Sequence, residues 1–205
     1  MFQHNYDSGR FVKLMGPNLK VNLLADKQFS LGPVLNYRFE RDDVDNDRVD
    51  RMDKVDAAFE AGVFGGVNID NLLFGLELLA DVSDEHDGFL AQANVGYRWK
   101  VMPELTLTPG VFLTYADDDY MDTYFGVNPG NKGSSGLPNY SADSGLKDVG
   151  INLIAHYTPW EKWGIMGLFS YKSLLNDAKD SPIVDDEGDD KQFMLGLMVT
   201  YRWSR

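Results

Sequence analysis

Residues 193–203 alternate without a break. Phe193, Leu195, Leu197, Val199, Tyr201 and Trp203 fall on one face of an extended chain, with Met194, Gly196, Met198, Thr200 and Arg202 on the other. Successive side chains of a strand point to opposite faces, so a strict period of two gives one apolar face and one polar face. The same period sets Phe29, Leu31, Pro33, Leu35, Tyr37 and Phe39 against Ser30, Gly32, Asn36, Arg38 and Glu40. It sets Leu72, Phe74, Leu76, Leu78, Ala80 and Val82 against Gly75, Glu77 and Asp81. Read along all 205 residues, it predicts nine strands over 11–25, 28–40, 55–69, 71–82, 87–100, 104–116, 145–158, 162–176 and 191–203. A chain built this way is all-β. Pro33 and Pro109 lack a ladder donor and mark bulges or weak points in pairing.

The connections are of two kinds. Asp26-Lys27, Asp70-Asn71, Val101-Met102-Pro103 and Pro159-Trp160-Glu161 are tight, and the intervening ones are long and acidic. Segments 41–54, 83–87, 117–144 and 177–190 hold 21 of the 32 acidic residues and carry a combined charge of −15. The whole chain carries −13, so its body is slightly basic and its acid belongs to four loops. That charge repels phosphates and argues against nucleic acid as a partner. Short turns alternating with long loops predict an antiparallel up-and-down transmembrane β-barrel, with the loops outside and the turns in the periplasm. Aromatic residues near the strand ends suit an interfacial girdle. A soluble up-and-down barrel, its apolar face turned inward, is the competing architecture. The opposite face carries Lys20, Asn22, Glu60, Glu77, Asn94, Arg98, Asn152, His156, Lys172 and Arg202, which suits a polar lumen.

No run approaches the roughly 18 apolar residues of a transmembrane helix, whereas a barrel strand needs only about 9 to 11 residues. The chain has no cysteine, so disulfides and thiolate metal sites are excluded. The expected organisation is a single barrel domain over 1–205 with 9–10 strands of a full 10–12. Bacterial barrels usually have an even strand number and both termini in the periplasm. Tracing back from the last strand puts Phe11 on the outer side, so an odd number of strands should precede it. A short strand at Phe2–Tyr6 supplies one. With no signal peptide at Met1-Phe2-Gln3-His4-Asn5, the expectation is that N-terminal strands are missing.

The only histidines are His4, His86 and His156; His86 falls in an acidic loop and His156 on the lumen face. No serine sits in a nucleophile elbow, and no residue is assigned a catalytic, cofactor-binding or metal-ligating role. Asp43-Val44-Asp45-Asn46-Asp47 resembles the start of a calcium loop, but Arg48 replaces the turn glycine and Lys54 the closing glutamate. The run Asp185-Asp186-Glu187-Gly188-Asp189-Asp190 is a loose divalent-cation candidate, most useful if the loops lie against lipopolysaccharide phosphates. Segment 124–145 is too rich in glycine, proline and serine for a strand. Its flanking aromatics make it either a constriction folded into the mouth or an exposed loop.

Tyr124-Phe125-Gly126-Val127, followed by Ser135-Gly136-Leu137-Pro138-x-Tyr140 and Gly145, resembles the MltA-interacting protein (MipA/OmpV) family of Gram-negative outer-membrane proteins. Leu174, Asp177, Ala178 and Asp180-Ser181-Pro182-Ile183-Val184 before a final aromatic-ended strand extend the likeness across the chain. Ser204 and Arg205 after Trp203 depart from barrels that end on the aromatic. The resemblance implies a signal peptide and further strands upstream. It also implies a non-enzymatic scaffold linking a murein hydrolase to a peptidoglycan synthase at the outer membrane. Other relatives imply a porin-like small-solute channel or a surface adhesin. A scaffold would dock partners on the turns near Asp26, Asp70, Met102 and Trp160.

Overall fold

The computed structural model describes residues 2–42 and 45–201. Its strands are β1 (Phe2–Asn5), β2 (Phe11–Met15), β3 (Asn18–Asn22), β4 (Phe29–Arg38), β5 (Ala58–Ile69) and β6 (Leu72–Asp81). They continue as β7 (Phe89–Tyr97), β8 (Trp99–Met102), β9 (Leu105–Ala116), β10 (Gly145–Tyr157), β11 (Trp163–Leu174) and β12 (Lys191–Tyr201). Each strand pairs antiparallel with the next, except that β7 and β8 lie end to end and both pair with β9. The result is a nearly closed up-and-down barrel whose seam lies between β1 and β12.

The apolar face points outward. Leu31, Leu35, Phe74, Leu76, Val111, Ile151, Leu195 and Leu197 are all exposed, while Glu60 and Asp148 on the inner face are 1% and 2% exposed. A soluble barrel would show the reverse, so the competing architecture is excluded. Large continuous apolar surface of this kind is what hydrocarbon, not water, covers. Two aromatic belts bound it. Tyr97, Trp99, Tyr157, Trp163 and Tyr201 stand at the turn rim, and Phe59, Tyr115, Tyr171 and Phe193 at the loop rim, all of them exposed. Trp163 pairs with Tyr201 and Tyr171 with Phe193 in register. The eight-residue rise between those pairs is about 26 Å along the strand, which at a barrel tilt of about 40° spans about 20 Å across the membrane, most of an outer-membrane apolar band of about 25 Å.

Three sequence expectations are corrected. Segment 11–25 is not one strand but the β2–β3 hairpin: Gly16 takes a left-handed φ of 57° and Pro17 follows it in the turn. Only glycine adopts that conformation without strain, and proline cannot donate to a ladder. Phe11 therefore lies at the turn rim, and Gly16-Pro17 is a short connection on the rim of long loops. Segment 87–100 is interrupted at Arg98, dividing β7 from β8. Segments read as loops contain five short helices, described below.

The two prolines act as expected. The β3–β4 ladder stops at Lys20↔Val34, beside Pro33, and the β7–β9 ladder stops at Gly96↔Gly110, beside Pro109. At the tight β5–β6 turn, Asp70 holds φ 52°, a conformation aspartate tolerates better than most residues. Residues Arg202 to Arg205, including the chain end discussed above, lie outside the described residues.

Candidate functional site

The four acidic connections fold together over the loop rim. They contain α1 (Asp47–Asp50), α2 (Asp118–Phe125), α3 (Pro129–Ser135), α4 (Asn176–Asp180) and α5 (Pro182–Asp185). Four of the five starts have a local cause. Asn46 accepts from the amides of Arg48 and Val49, Asp117 from Tyr120 and Asn128 from Asn131, satisfying orphan donors of the first turn. Pro129 and Pro182 occupy the first turns of α3 and α5, where a missing N–H costs nothing. Gly136 closes α3 in the left-handed conformation, φ 75°. Segment 128–136, read as irregular, therefore carried an Asn-Pro start and a glycine stop.

The cap has its own core of Val49, Met52, Val127 and Leu137. A second cluster ties it to the barrel, with Tyr120, Met121, Ala142, Ala178 and Val184 packed on Leu79, Leu90, Ala116 and Leu174. Val127 and Tyr140 form a β-bridge. The Ser181 hydroxyl donates to the Phe125 carbonyl at 2.6 Å, and the Tyr140 hydroxyl to the Asp177 carbonyl at 3.0 Å. Gly126 follows from close approach, since a Cβ there would collide with the carbonyl oxygen of Asp122. Two arginines staple the assembly. Arg41 donates to the Tyr124 carbonyl at 2.9 Å, while Arg48 pairs with Glu187 and donates to the Ser135 carbonyl at 3.2 Å and the Gly136 carbonyl at 2.7 Å. The Tyr-Phe-Gly-Val and Asp-Ser-Pro-Ile-Val segments thus meet in one structure.

Beneath the cap lies a buried polar cluster. Glu60 accepts from Arg38 Nε and Asn36 Nδ2, each at 2.7 Å, and sits 3.2 Å from His86 Nε2. The Gly88 amide donates to His86 Nδ1 at 3.0 Å, which places the ring proton on Nε2, facing Glu60. Tyr120 and Tyr124 stack at 4.5 Å, with the Arg38 guanidinium 5.0 Å and 5.6 Å from their ring centres, within cation–π range. Burial pushes the Tyr120 hydroxyl up to about 12, with the Arg38 charge acting the other way. Burial likewise raises the Tyr124 hydroxyl.

The sequence candidates are dispersed. His86 is not in an open loop but fully buried against Glu60, Tyr120 and Tyr124. His156 faces inward and meets the Thr200 hydroxyl at 3.3 Å. His4 is exposed on β1 beside Tyr6. Asp43 and Val44 lie outside the described residues, and Asn46 is committed to capping α1. In the run 185–190, Glu187 is engaged by Arg48 and Asn46, Asp189 accepts from the Lys191 amide and Asp190 from the Ser173 hydroxyl. Asp117, Asp118 and Asp119 converge at the start of α2, with Asp117 serving as its cap. The Glu60–His86 contact was not legible, because it joins a strand to a loop through a bond that only the closed fold creates. Lumen residues Lys20, Glu77 and Asn18 do come together across the barrel, with Lys20 paired to Glu77 and Asn18 donating to Glu77 at 2.8 Å.

A family model described as MltA-interacting protein MipA matches residues 2–203. The Escherichia coli (strain K12) protein YiaT, described as an outer membrane protein, is 29% identical over 155 residues, which are 71% of this chain and 59% of YiaT. The MltA-interacting protein of the same organism is 28% identical over 108 residues, 53% of this chain and 43% of that protein. The MltA-interacting protein of Shigella flexneri matches to the same extent. The chain thus spans less than two thirds of the length of these relatives.

Proposed function

The chain belongs to the MltA-interacting protein family of outer-membrane barrels, and from that premise we propose a non-enzymatic scaffold for enzymes of peptidoglycan synthesis and remodelling. The observation that carries this reading is the family match over residues 2–203, together with a relative named for its interaction with MltA. Its surroundings would be outer-membrane lipid and lipopolysaccharide. A capped mouth agrees with a role that does not require solute flow. Partners would dock at the turn rim, where Met102 and Trp160 are exposed. The rim offers little area for a stable interface, so a partner would bind weakly there or use further protein surface.

Capture of a murein hydrolase and a synthase on the barrel in detergent tests the proposal. The expected outcome is retention of at least one enzyme, lost in a Met102→Ala, Trp160→Ala double variant. Retention of neither enzyme overturns it. A porin-like channel is the second reading, favoured by the polar inner face that lines a cavity of about 470 Å³. Discrete openings of the intact barrel in a planar bilayer would move the balance to the channel, and a silent bilayer to the scaffold.

A further inference from the structure

His86 has both ring nitrogens committed beneath the cap. Nδ1 accepts the Gly88 amide at 3.0 Å, and Nε2 stands 3.2 Å from Glu60 Oε1. The side chain is fully buried, with the rings of Tyr120 and Tyr124 edge-on to it at 5.2 Å and 5.7 Å between centres. Only the neutral Nε2–H tautomer makes both contacts. An imidazolium carries a proton on each nitrogen, so its Nδ1–H would point at the Gly88 N–H and that hydrogen bond would be lost.

The charged groups around the ring decide which contact yields. Glu60 on β5 favours a positive ring, although Arg38 on β4 and the Asn36 amide already share that carboxylate. Lys147 on β10 lies beyond Tyr120, 5.7 Å from its ring centre, and is paired with Asp148. Asp81, at the end of β6, accepts the backbone amides of Ser83, Glu85, His86 and Asp87, which fixes the loop rather than the ring. Asp117 caps α2 beside Gly88. The Glu60 contact therefore survives protonation of the ring, and the Gly88 contact does not. Histidine is the side-chain type in this group whose charge changes between about pH 5 and 8.

Gly88 cannot shift without disturbing the cap. A Cβ there would lie 2.5 Å from the Tyr120 amide nitrogen and 2.8 Å from Asp117 Oδ1, the atom that caps α2. The Phe89 carbonyl accepts the Asp117 amide at 3.1 Å, and the Gly88 carbonyl accepts the Asp81 amide at 3.1 Å. We propose that His86 is an acid-sensitive latch on the cap. Protonation at Nδ1 frees Gly88 and loosens residues 86–89 together with the start of α2. That helix supplies Tyr120 and Met121 to the cluster that ties the cap to the barrel, so the loosening reaches the covered mouth. The latch is independent of the scaffold reading, which concerns the opposite rim, and of the Arg48–Glu187 pair, which joins other parts of the cap.

Amide exchange of the full chain in detergent micelles tests the latch, compared at about pH 7.5 and about pH 5 with intrinsic rates corrected. Residues 86–89 and 117–122 should exchange about three- to tenfold faster at the lower pH, the factor that loss of one hydrogen bond gives. His86→Gln keeps a donor for Glu60 but does not titrate, so its exchange should be the same at both pH values. His156→Gln should retain the wild-type response. Nitrogen-15 NMR of the wild-type histidines gives a second reading. It should find His86 as the Nε2–H tautomer at the higher pH, with an imidazolium appearing in step with the faster exchange. Heat-modifiable migration on gels reports whether each variant is folded, and if His86→Gln is not, the wild-type NMR titration decides. An Nδ1–H tautomer at the higher pH, a ring still neutral at the lower one, or a charged ring with unchanged exchange overturns the assignment. So does a pH response that persists in folded His86→Gln.

Discussion

Glu60 holds the inner wall to the cap: its carboxylate takes Arg38, Asn36 and the His86 ring at once, and Arg38 in turn stacks under Tyr120 and Tyr124. Removing the acid leaves a largely enclosed guanidinium without its counter-charge and a buried ring N–H without an acceptor. Breaking one side of a buried pair costs on the order of 3–5 kcal/mol. Because a quarter of the Arg38 side chain is still accessible, Glu60→Ala should fall at the lower end, about 3 kcal/mol. Urea unfolding of the refolded barrel measures this, and a loss below about 1 kcal/mol would mean the cluster is ornamental. The inward direction of Glu60 was legible from alternation, because direction along a strand is a local property. Its partner His86 was not, since it arrives from a separate loop 26 residues away.

At the scale of elements, the cap depends on the staple between α1, α3 and the segment after α5. Glu187 is held below the ordinary carboxylate range, first by the Asn46 amide and then by Arg48. A depressed carboxyl pKa contributes stability that is complete above the unfolded value and is lost as pH falls through the folded one. The staple should therefore weaken in acid, below about pH 4, and be indifferent to alkali. Amide exchange across 46–53 and 129–137 should rise between pH 7 and 3, after correction for intrinsic rates, while that of β9–β11 stays flat. In Glu187→Gln the cap should already exchange faster at pH 7 and change less on acidification. Equal protection of wild type and variant at pH 7 would show that the staple does not hold the cap. The helices of this cap were signalled by Asn128-Pro129, Ser181-Pro182 and Gly136, all of which mark boundaries. What hid them was brevity: segments of four to eight residues are not stable helices alone and form only when packed.

Over the whole molecule, the outward apolar surface sets the solvent this barrel requires. Leu197 lies midway between the belt residues Phe193 and Tyr201 on β12 and is 80% exposed. Leu197→Arg should destabilise the barrel folded into lipid vesicles by about 2–4 kcal/mol, the cost of such a charge near a bilayer midplane. On a water-facing surface the same change would be nearly neutral, so a loss within about 0.5 kcal/mol of zero would contradict the membrane assignment. The sequence by itself determined most strands, the two rims and the sorting of residues into two faces, because period, turn chemistry and loop charge are properties of neighbouring residues. It also contained the break at Gly16-Pro17, although the apolar run across it read as one strand. Tertiary structure alone decided which face meets the surroundings, how four loops become one cap, and which charges share the lumen. Those outcomes depend on the curvature of a nearly closed sheet, which brings together residues that no local pattern connects.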